Sequence, residues 1–355
     1  MRYTKYIYIL LFVALVVVTS CKKNPPETMD SPAVLKHGIL VLNEGLFQLN
    51  NASLSWVDRT TNTTNNEFFT QKANRLLGDT GNDMQRYGGK IYIVVNVSST
   101  IEVLNATTGE PIQQISMLNG SNSKQPRNIV FSGNKALVSC FDGFVDVIDT
   151  ATLSITKRIP VGLNPESMTI AGQRLFVSNS GGLNAPTMDS TVSVIDLNAL
   201  SETAKVVVGK NPGSIAADNN GNIFVIARGN YGSIPSRLKR IDAVTFAVTS
   251  YAFEASGIEK MENSLLISYT NPSNQQTQVA RFNPQTEQIE DTDFLDLSVV
   301  QTFAGMQYDP AQELLVVMDA NGYTTTGYIL EFSKAGIFKQ KYHVGLIPNS
   351  IIYYE

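Results

Sequence analysis

Seven times along the chain a short segment with apolar residues at alternating positions ends in Asp, Asn or Ser: LSWVD to Asp58, IEVLN to Asn105, VDVID to Asp149, VSVID to Asp196, LKRID to Asp242, VARFN to Asn283 and ILEFS to Ser333. Alternation of this kind belongs to a strand with one face in the core. The segments recur at a spacing of roughly 46 residues, the length of a four-stranded propeller blade. Three residues beyond the terminal position stands Thr61, Thr108, Thr152, Thr245 or Thr286 in five of the seven. There is a local cause. An Asp or Asn side chain accepts a backbone N–H two residues on and closes a tight turn, and Thr restarts the next strand.

Upstream of each segment lies a nearly continuous apolar run: GILVLN (38–43), KIYIVVN (90–96), KALVSC (135–140), RLFVSN (174–179), NIFVIA (222–227), SLLISYT (264–270) and ELLVVMD (313–319). Such runs predict strands covered on both faces. Before these come shorter segments around Met84, Ile129, Met168, Ile215, Ile258, Met306 and Ile351, several introduced by Pro126, Pro165, Pro212 or Pro348. They are expected to be the innermost strands. The folded part begins with a second strand and ends with a lone first strand, NSIIYYE (349–355), so the C-terminus should complete the blade that the N-terminus starts, leaving no open sheet edge. The fold class is therefore all-β, a seven-bladed β-propeller over residues 37–355 closed by the C-terminal strand, with two packed domains as the alternative.

Composition agrees with that reading. Charged residues are only 16% of the 355, and 25 Gly and 14 Pro punctuate many short strands rather than long helices. With 27 Lys and Arg against 31 Asp and Glu, the formal charge of −4 gives a polyanion no electrostatic footing, so no nucleic-acid partner is expected. Two Cys and two His in no ligand spacing leave no local zinc or haem motif and no disulfide framework.

At the N-terminus Arg2 and Lys5 precede an apolar run from Tyr6 to Val18, too short to span the ~30 Å hydrocarbon core of a bilayer as a helix. It reads as a signal-peptide core over residues 1–20. The following Val18-Thr19-Ser20-Cys21 resembles a bacterial lipobox. That resemblance implies cleavage before Cys21, lipidation of its sulfur and attachment to the membrane by the lipid alone. Residues 21–36 then form a Pro-containing tether. An outer-membrane lipoprotein is expected, on the cell surface or the periplasmic side. The ordinary secretory signal is the alternative, and Lys22 and Lys23 in place of an acidic cluster argue less for surface export than for lipidation.

The cadence LFVSN, VSVID, then a strand ending VVVGKNP resembles the YncE-like and YVTN-repeat propellers over almost the whole mature chain, best in ITKRIPVGLNP (155–165) and AKVVVGKNP (204–212). The fifth and sixth repeats depart from it, with FEASG and Asn-Pro-Gln-Thr at the equivalent places. A lipoprotein of this length also looks like the BtuG-type cobalamin-capturing proteins. That resemblance implies a non-catalytic corrinoid site, no resident cofactor and a TonB-dependent transporter as partner.

Propellers bind where loops entering the innermost strands meet loops following the second strands. That face would collect Asn43, Glu44, Phe47, Asn96, Arg127, Phe141, Glu166, Asn179, Arg228, Tyr231, Tyr269, Asn271 and Tyr323. Aromatic faces offer contact area while Asn and Arg fix orientation, a mixture suited to a bulky, mostly neutral ligand with amide groups. The plainer reading makes the Asn turn formers and the Tyr rim packing. The longest loops, 43–53, 179–190 and 227–237, should crowd this face.

Catalysis has little to draw on. His37 at the tether and His343 in an outer strand make no general base, Gly181-Gly182 lacks the following helix of a phosphate cradle, and Asp218 to Asn222 is a hairpin turn rather than a calcium loop. Trp56 is the only Trp, against the repeated tryptophan docking of quinone-cofactor propellers, and Cys140 reads as a core residue. A lactonase-like metal site would need Glu44, Asn96, Glu166 and Asp319 to converge; neither catalytic nor metal-binding residues are assigned. Three readings remain: ligand capture, a protein-interaction scaffold in the envelope, and a lactonase-like hydrolase. The lipobox generates the first prediction. Cys21→Ala should release the protein from the membrane fraction and abolish labelling by radioactive fatty acid, whereas a variant that still sediments with membranes removes the lipid anchor.

Overall fold

The protein is described from a computed structural model covering residues 33–355; the signal peptide, Cys21 and most of the tether lie outside the described residues. Seven four-stranded antiparallel sheets account for nearly all of it. Blade 1 is made of Pro348–Tyr354, Gly38–Asn43, Ser53–Asp58 and Thr63–Asn65, from the axis outward. Blades 2 to 7 follow in chain order, their innermost strands being Gly81–Tyr87, Pro126–Ser132, Pro165–Ala171, Pro212–Ala217, Gly257–Met261 and Phe303–Asp309. The apolar runs are the second strands, and in Gly38–Asn43, Ile223–Ala227 and Leu314–Asp319 every residue is buried. Outermost strands such as Ser154–Pro160 are largely exposed. The core is accordingly a series of apolar layers between adjacent blades, not one central nucleus.

The ring closes in blade 1. Gly38–Asn43 pairs antiparallel with Pro348–Tyr354, Ile39 facing Tyr353 and Val41 facing Ile351, so the two ends of the domain share one sheet. Ile351, Ile352, Tyr353 and Tyr354 are buried, and the Tyr353 hydroxyl donates to Glu331 of blade 7 at 2.7 Å. Gly38 is required for closeness: a Cβ there would lie 2.3 Å from the Trp56 ring, which packs edge-on against Tyr354. Outside the ring, Leu35 donates its N–H to the Thr107 carbonyl, and the His37 carbonyl accepts the N–H of Arg59.

An innermost strand has a sheet neighbour on one side only, so its second edge faces the axis with unpaired backbone groups. Side chains of the preceding blade meet this need. Asp83 accepts the N–H of Ile129, Asn128 that of Met168, Ser214 that of Ile258, Glu259 that of Tyr308 and Gln307 that of Ile351. Each bond crosses from one blade to the next. On the far face, the terminal Asp or Asn of each third strand accepts N–H groups both two and three residues on, as Asp149 does from Ala151 and Thr152. Ser333 departs from this pattern, its hydroxyl accepting from Ile337 four residues on.

Two elements were not expected from the repeat. The link from blade 1 to blade 2 holds a short helix, α1 (Phe68–Ala73), which buries Phe68 and Phe69 and ends on Asn74 in the left-handed conformation. The link from blade 2 to blade 3 holds a two-residue hairpin, Leu118–Asn119 with Asn122–Ser123. Among the described residues no helix is long and apolar enough to cross a membrane.

Closure by the C-terminal strand can be tested by truncation. Burying an Ile or Tyr side chain contributes about 1.5–3 kcal/mol, and whole-domain stability is only about 5–15 kcal/mol. Deleting residues 349–355 should abolish the cooperative thermal transition or lower its midpoint sharply, and an unchanged melting curve would refute the closed ring.

Candidate functional site

Innermost strands of blades 3, 4 and 5 enter through a bulge immediately after a proline. Pro126 faces Cys140 but Ile129 faces Val138, Pro165 faces Asn179 but Met168 faces Val177, and Pro212 faces Ala227 but Ile215 faces Val225. One extra residue per strand bends the backbone and re-aims the side chains within the bulge. Proline fits the first position because it has no N–H to leave unpaired. The re-aimed residues are Arg127, Glu166 and Gly213, at the mouth of the central channel.

There the structure brings five expected residues together. Glu166 lies between two guanidinium groups, 3.6 Å from Arg127 and 3.5 Å from Arg228. The Arg127 guanidinium also stacks 4.6 Å from the Phe141 ring centre and hydrogen-bonds the Asn82 side chain. Glu44 completes the group: burial raises its pKa, while the charge of Arg127 and a hydrogen bond from Asn349 pull it back. Arg228 can reach Glu166 because residue 213 is glycine, where a Cβ would lie 2.2 Å from the Arg228 Cζ. The arrangement offers two cationic planes, one aromatic face and an anionic centre, all held by one another.

Other expected residues serve the scaffold. Asn43 and Asn179 end their second strands fully buried; Asn43 donates to Ser55 Oγ at 2.8 Å and Asn179 to Ser193 Oγ at 2.9 Å on the adjacent strand. Asn96 donates to the Pro126 carbonyl at 2.9 Å, and the Asp319 carboxylate accepts the N–H groups of Gln301, Thr302 and Asn321. Asn96 and Asp319 are thus engaged within the scaffold, and among the described residues no group of three His, Cys, Asp or Glu is placed to hold a metal ion. His343 shares a hydrogen bond with Thr326 on the outermost strand of blade 7, and Cys140 is buried, which pushes its thiol up. Gly181-Gly182 leads only into a three-residue 3-10 turn.

The long-loop aromatics are free. Phe47 is 68% exposed and Tyr231 75% exposed, on the loops of blades 1 and 5. Tyr269 and Asn271 instead converge on Gln278, whose Oε1 lies 2.7 Å from the Tyr269 hydroxyl and accepts Asn271 Nδ2 at 2.8 Å. Gln278 lines a cavity of about 820 Å³ in the furrow between blades 6 and 7, bounded by Gln275–Gln278, parts of the 293–303 connection and Tyr323. The sequence pattern pointed to Tyr323 but not to this cavity, because the connection that walls it lies outside the strand repeat. Asn211 was missed as well. Its side chain is fully buried between the loops of blades 4 and 5, and neither polar atom has a partner among the described residues. The sequence signal is the Asn-Pro pair, Asn211-Pro212 as in Asn164-Pro165, where each Asn takes a positive φ of 56° or 43°, as Gln125 and Ile347 also do before their prolines.

Below the mouth, the channel wall carries Asp83 and Glu259. Burial lifts Asp83 to about 6 against hydrogen bonds from Ile129, Gln85, Met84 and Asn128, and lifts Glu259 to about 7 against one from Tyr308. Carboxylates are placed here because the exposed edges of innermost strands need acceptors.

Residues 37–341 match the family model described as Domain of unknown function (DUF5074), and the chain belongs to that family. No curated protein gives a significant match. Among solved structures, a quinoprotein alcohol dehydrogenase-like protein from Bacteroides thetaiotaomicron is similar with a TM-score of 0.63 at 13% identity, over 91% of this chain and 79% of that one. Hydrazine synthase from Kuenenia stuttgartiensis gives 0.58 at 15% identity over 73% and 84%. A computationally designed protein, Ika8, gives 0.56 at 14% identity over 88% and 89%. Such likenesses establish the propeller fold and nothing of the chemistry at its mouth.

The channel carboxyl has a signed pH consequence. A folded pKa of about 6 for Asp83, above that of the unfolded chain, means the folded state holds the extra proton between roughly pH 4 and pH 6, so its contribution to stability falls as pH rises through that window. Asp83→Asn mimics the protonated form. Relative to wild type it should be more stabilising at pH 7.5 than at pH 4, by on the order of 2 kcal/mol in denaturant unfolding. Equal differences at both pH values would show that Asp83 ionises normally.

Proposed function

We propose that this member of the DUF5074 family is a non-catalytic binding propeller, anchored to the outer membrane through Cys21, that captures a bulky small molecule at its mouth over blades 3 to 5 and passes it to a TonB-dependent transporter. The candidate ligand is a corrinoid, whose periphery carries many amide groups. The observation that carries the reading is the cluster at the mouth, where Arg127 and Arg228 flank Glu166 and Arg127 stacks on Phe141. The two guanidinium planes and Glu166 can donate to and accept from ligand amides. The Arg127 and Phe141 stack and the free Tyr231 ring offer flat surfaces for a large planar ligand. The likeness of a lipoprotein of this length, built as one YncE-like propeller, to the BtuG-type cobalamin-capturing proteins supports the same ligand.

Calorimetry with cyanocobalamin tests this directly. Tyr231→Ala and Arg228→Ala should each weaken binding roughly 30-fold, since a truncated aromatic or Arg anchor commonly costs about 2 kcal/mol. Thr152→Ala, on the opposite face, should leave it unchanged. Asn211→Gly keeps the left-handed backbone and removes the buried, unpartnered amide, so it should leave binding unchanged and the melting temperature equal or higher. No heat at micromolar protein, or equal losses from both faces, would put the protein-interaction scaffold ahead.

A further inference from the structure

We infer that the furrow between blades 6 and 7 is a second binding site, separate from the mouth over blades 3 to 5, and that it takes a neutral polyhydroxylated ligand, a glycan. The cavity holds about 820 Å³, near the upper end of small-molecule sites. Its lining decides the chemistry. Among the described residues that bound it there is no Lys or Arg, so an anionic ligand finds no counter-charge. Apolar side chains are few, so a hydrophobic ligand gains little. What remains is a set of planar amides, carboxylates and hydroxyls, with the aromatic rings of Phe303 and the half-exposed Tyr323.

Several of these groups have hydrogen-bonding capacity in hand. The Oε1 of Gln278 is taken by Tyr269 and Asn271, which fixes the amide plane and leaves its Nε2 to donate. The side chains of Asp293 and Gln301 have no hydrogen-bond partner among the described residues, although both line the cavity. Asp296 accepts the N–H of Ser298 through one oxygen and retains the other. A carboxylate accepts from two hydroxyls and an amide donates and accepts together, the pairing that vicinal hydroxyl groups require. Tyr323, 48% exposed at the rim with φ 65°, presents its ring to the furrow, where it can cover the C–H face of a sugar ring. Polar groups with free hydrogen-bonding capacity around the furrow, with an aromatic platform at its edge, suit a ligand that is polar around its rim and apolar on its faces.

The test uses the full-length lipoprotein in detergent with EDTA present, titrated calorimetrically with maltohexaose, cellohexaose, xylohexaose and mannohexaose. At least one should bind below millimolar Kd. Tyr323→Ala and Asp293→Ala should each weaken it at least tenfold with unchanged melting temperature, and Thr152→Ala should have no effect. Absence of heat with all four at millimolar ligand overturns the proposal. So does binding of spermine that Asp293→Ala abolishes, because the carboxylates would then recognise a cation. Glycan and cyanocobalamin titrations are independent, so either site can fail without the other.

Discussion

Each blade turns the free edge of its innermost strand toward the axis, and the ring can stand only if those backbone N–H groups find partners. Five of them donate to a side chain of the preceding blade. A single requirement therefore decides three things at once. It places polar residues where a core would otherwise be apolar, it couples neighbouring blades near the axis, and it puts Asp83 and Glu259 where burial raises them toward neutrality. The outer apolar layers supply burial. The inner bonds supply register, since each fixes one blade against the next at a named residue.

Much of this was legible in the sequence because its cause is local and repeated. The apolar second strands recur in every blade, the Asx turns after the third strands in six and a proline opening the innermost strand in four, and the closing strand follows from counting them. The site was less legible. Asn43 and Asn179 were taken for the mouth, yet each is answered by hydroxyl residues at the first and third positions of the next strand, Ser53 and Ser55 or Thr191 and Ser193. That spacing marks a scaffold asparagine. Arg127, Glu166 and Arg228 come together as expected from their places after Pro126, Pro165 and the second strand of blade 5. The furrow between blades 6 and 7 is not legible in the repeat, because the 292–302 connection that walls it obeys no period.

The same division explains why the fold neighbours are so varied in name. Strand pairing tolerates identities of 13–15% because alternation and turn chemistry suffice to build a blade. Recognition depends instead on where loops exceed the minimum. In this chain blades 1, 4 and 5 carry the longest loops after their second strands, while blades 2 and 3 turn within four residues or fewer. The mouth is thus open on one side and walled on the other.

Pairing of Gly38–Asn43 with Pro348–Tyr354 also sets an order of assembly. The strand made first cannot acquire its inner neighbour until the last residues exist, a sequence separation close to the whole domain. Blades 2 to 7 can form from contiguous segments, but blade 1 must wait with one edge open. Contacts this distant slow folding, because loop-closure entropy is paid before they form. A growing chain therefore keeps one edge of blade 1 unpaired longest, and the ring locks only once the C-terminal strand is free of the ribosome.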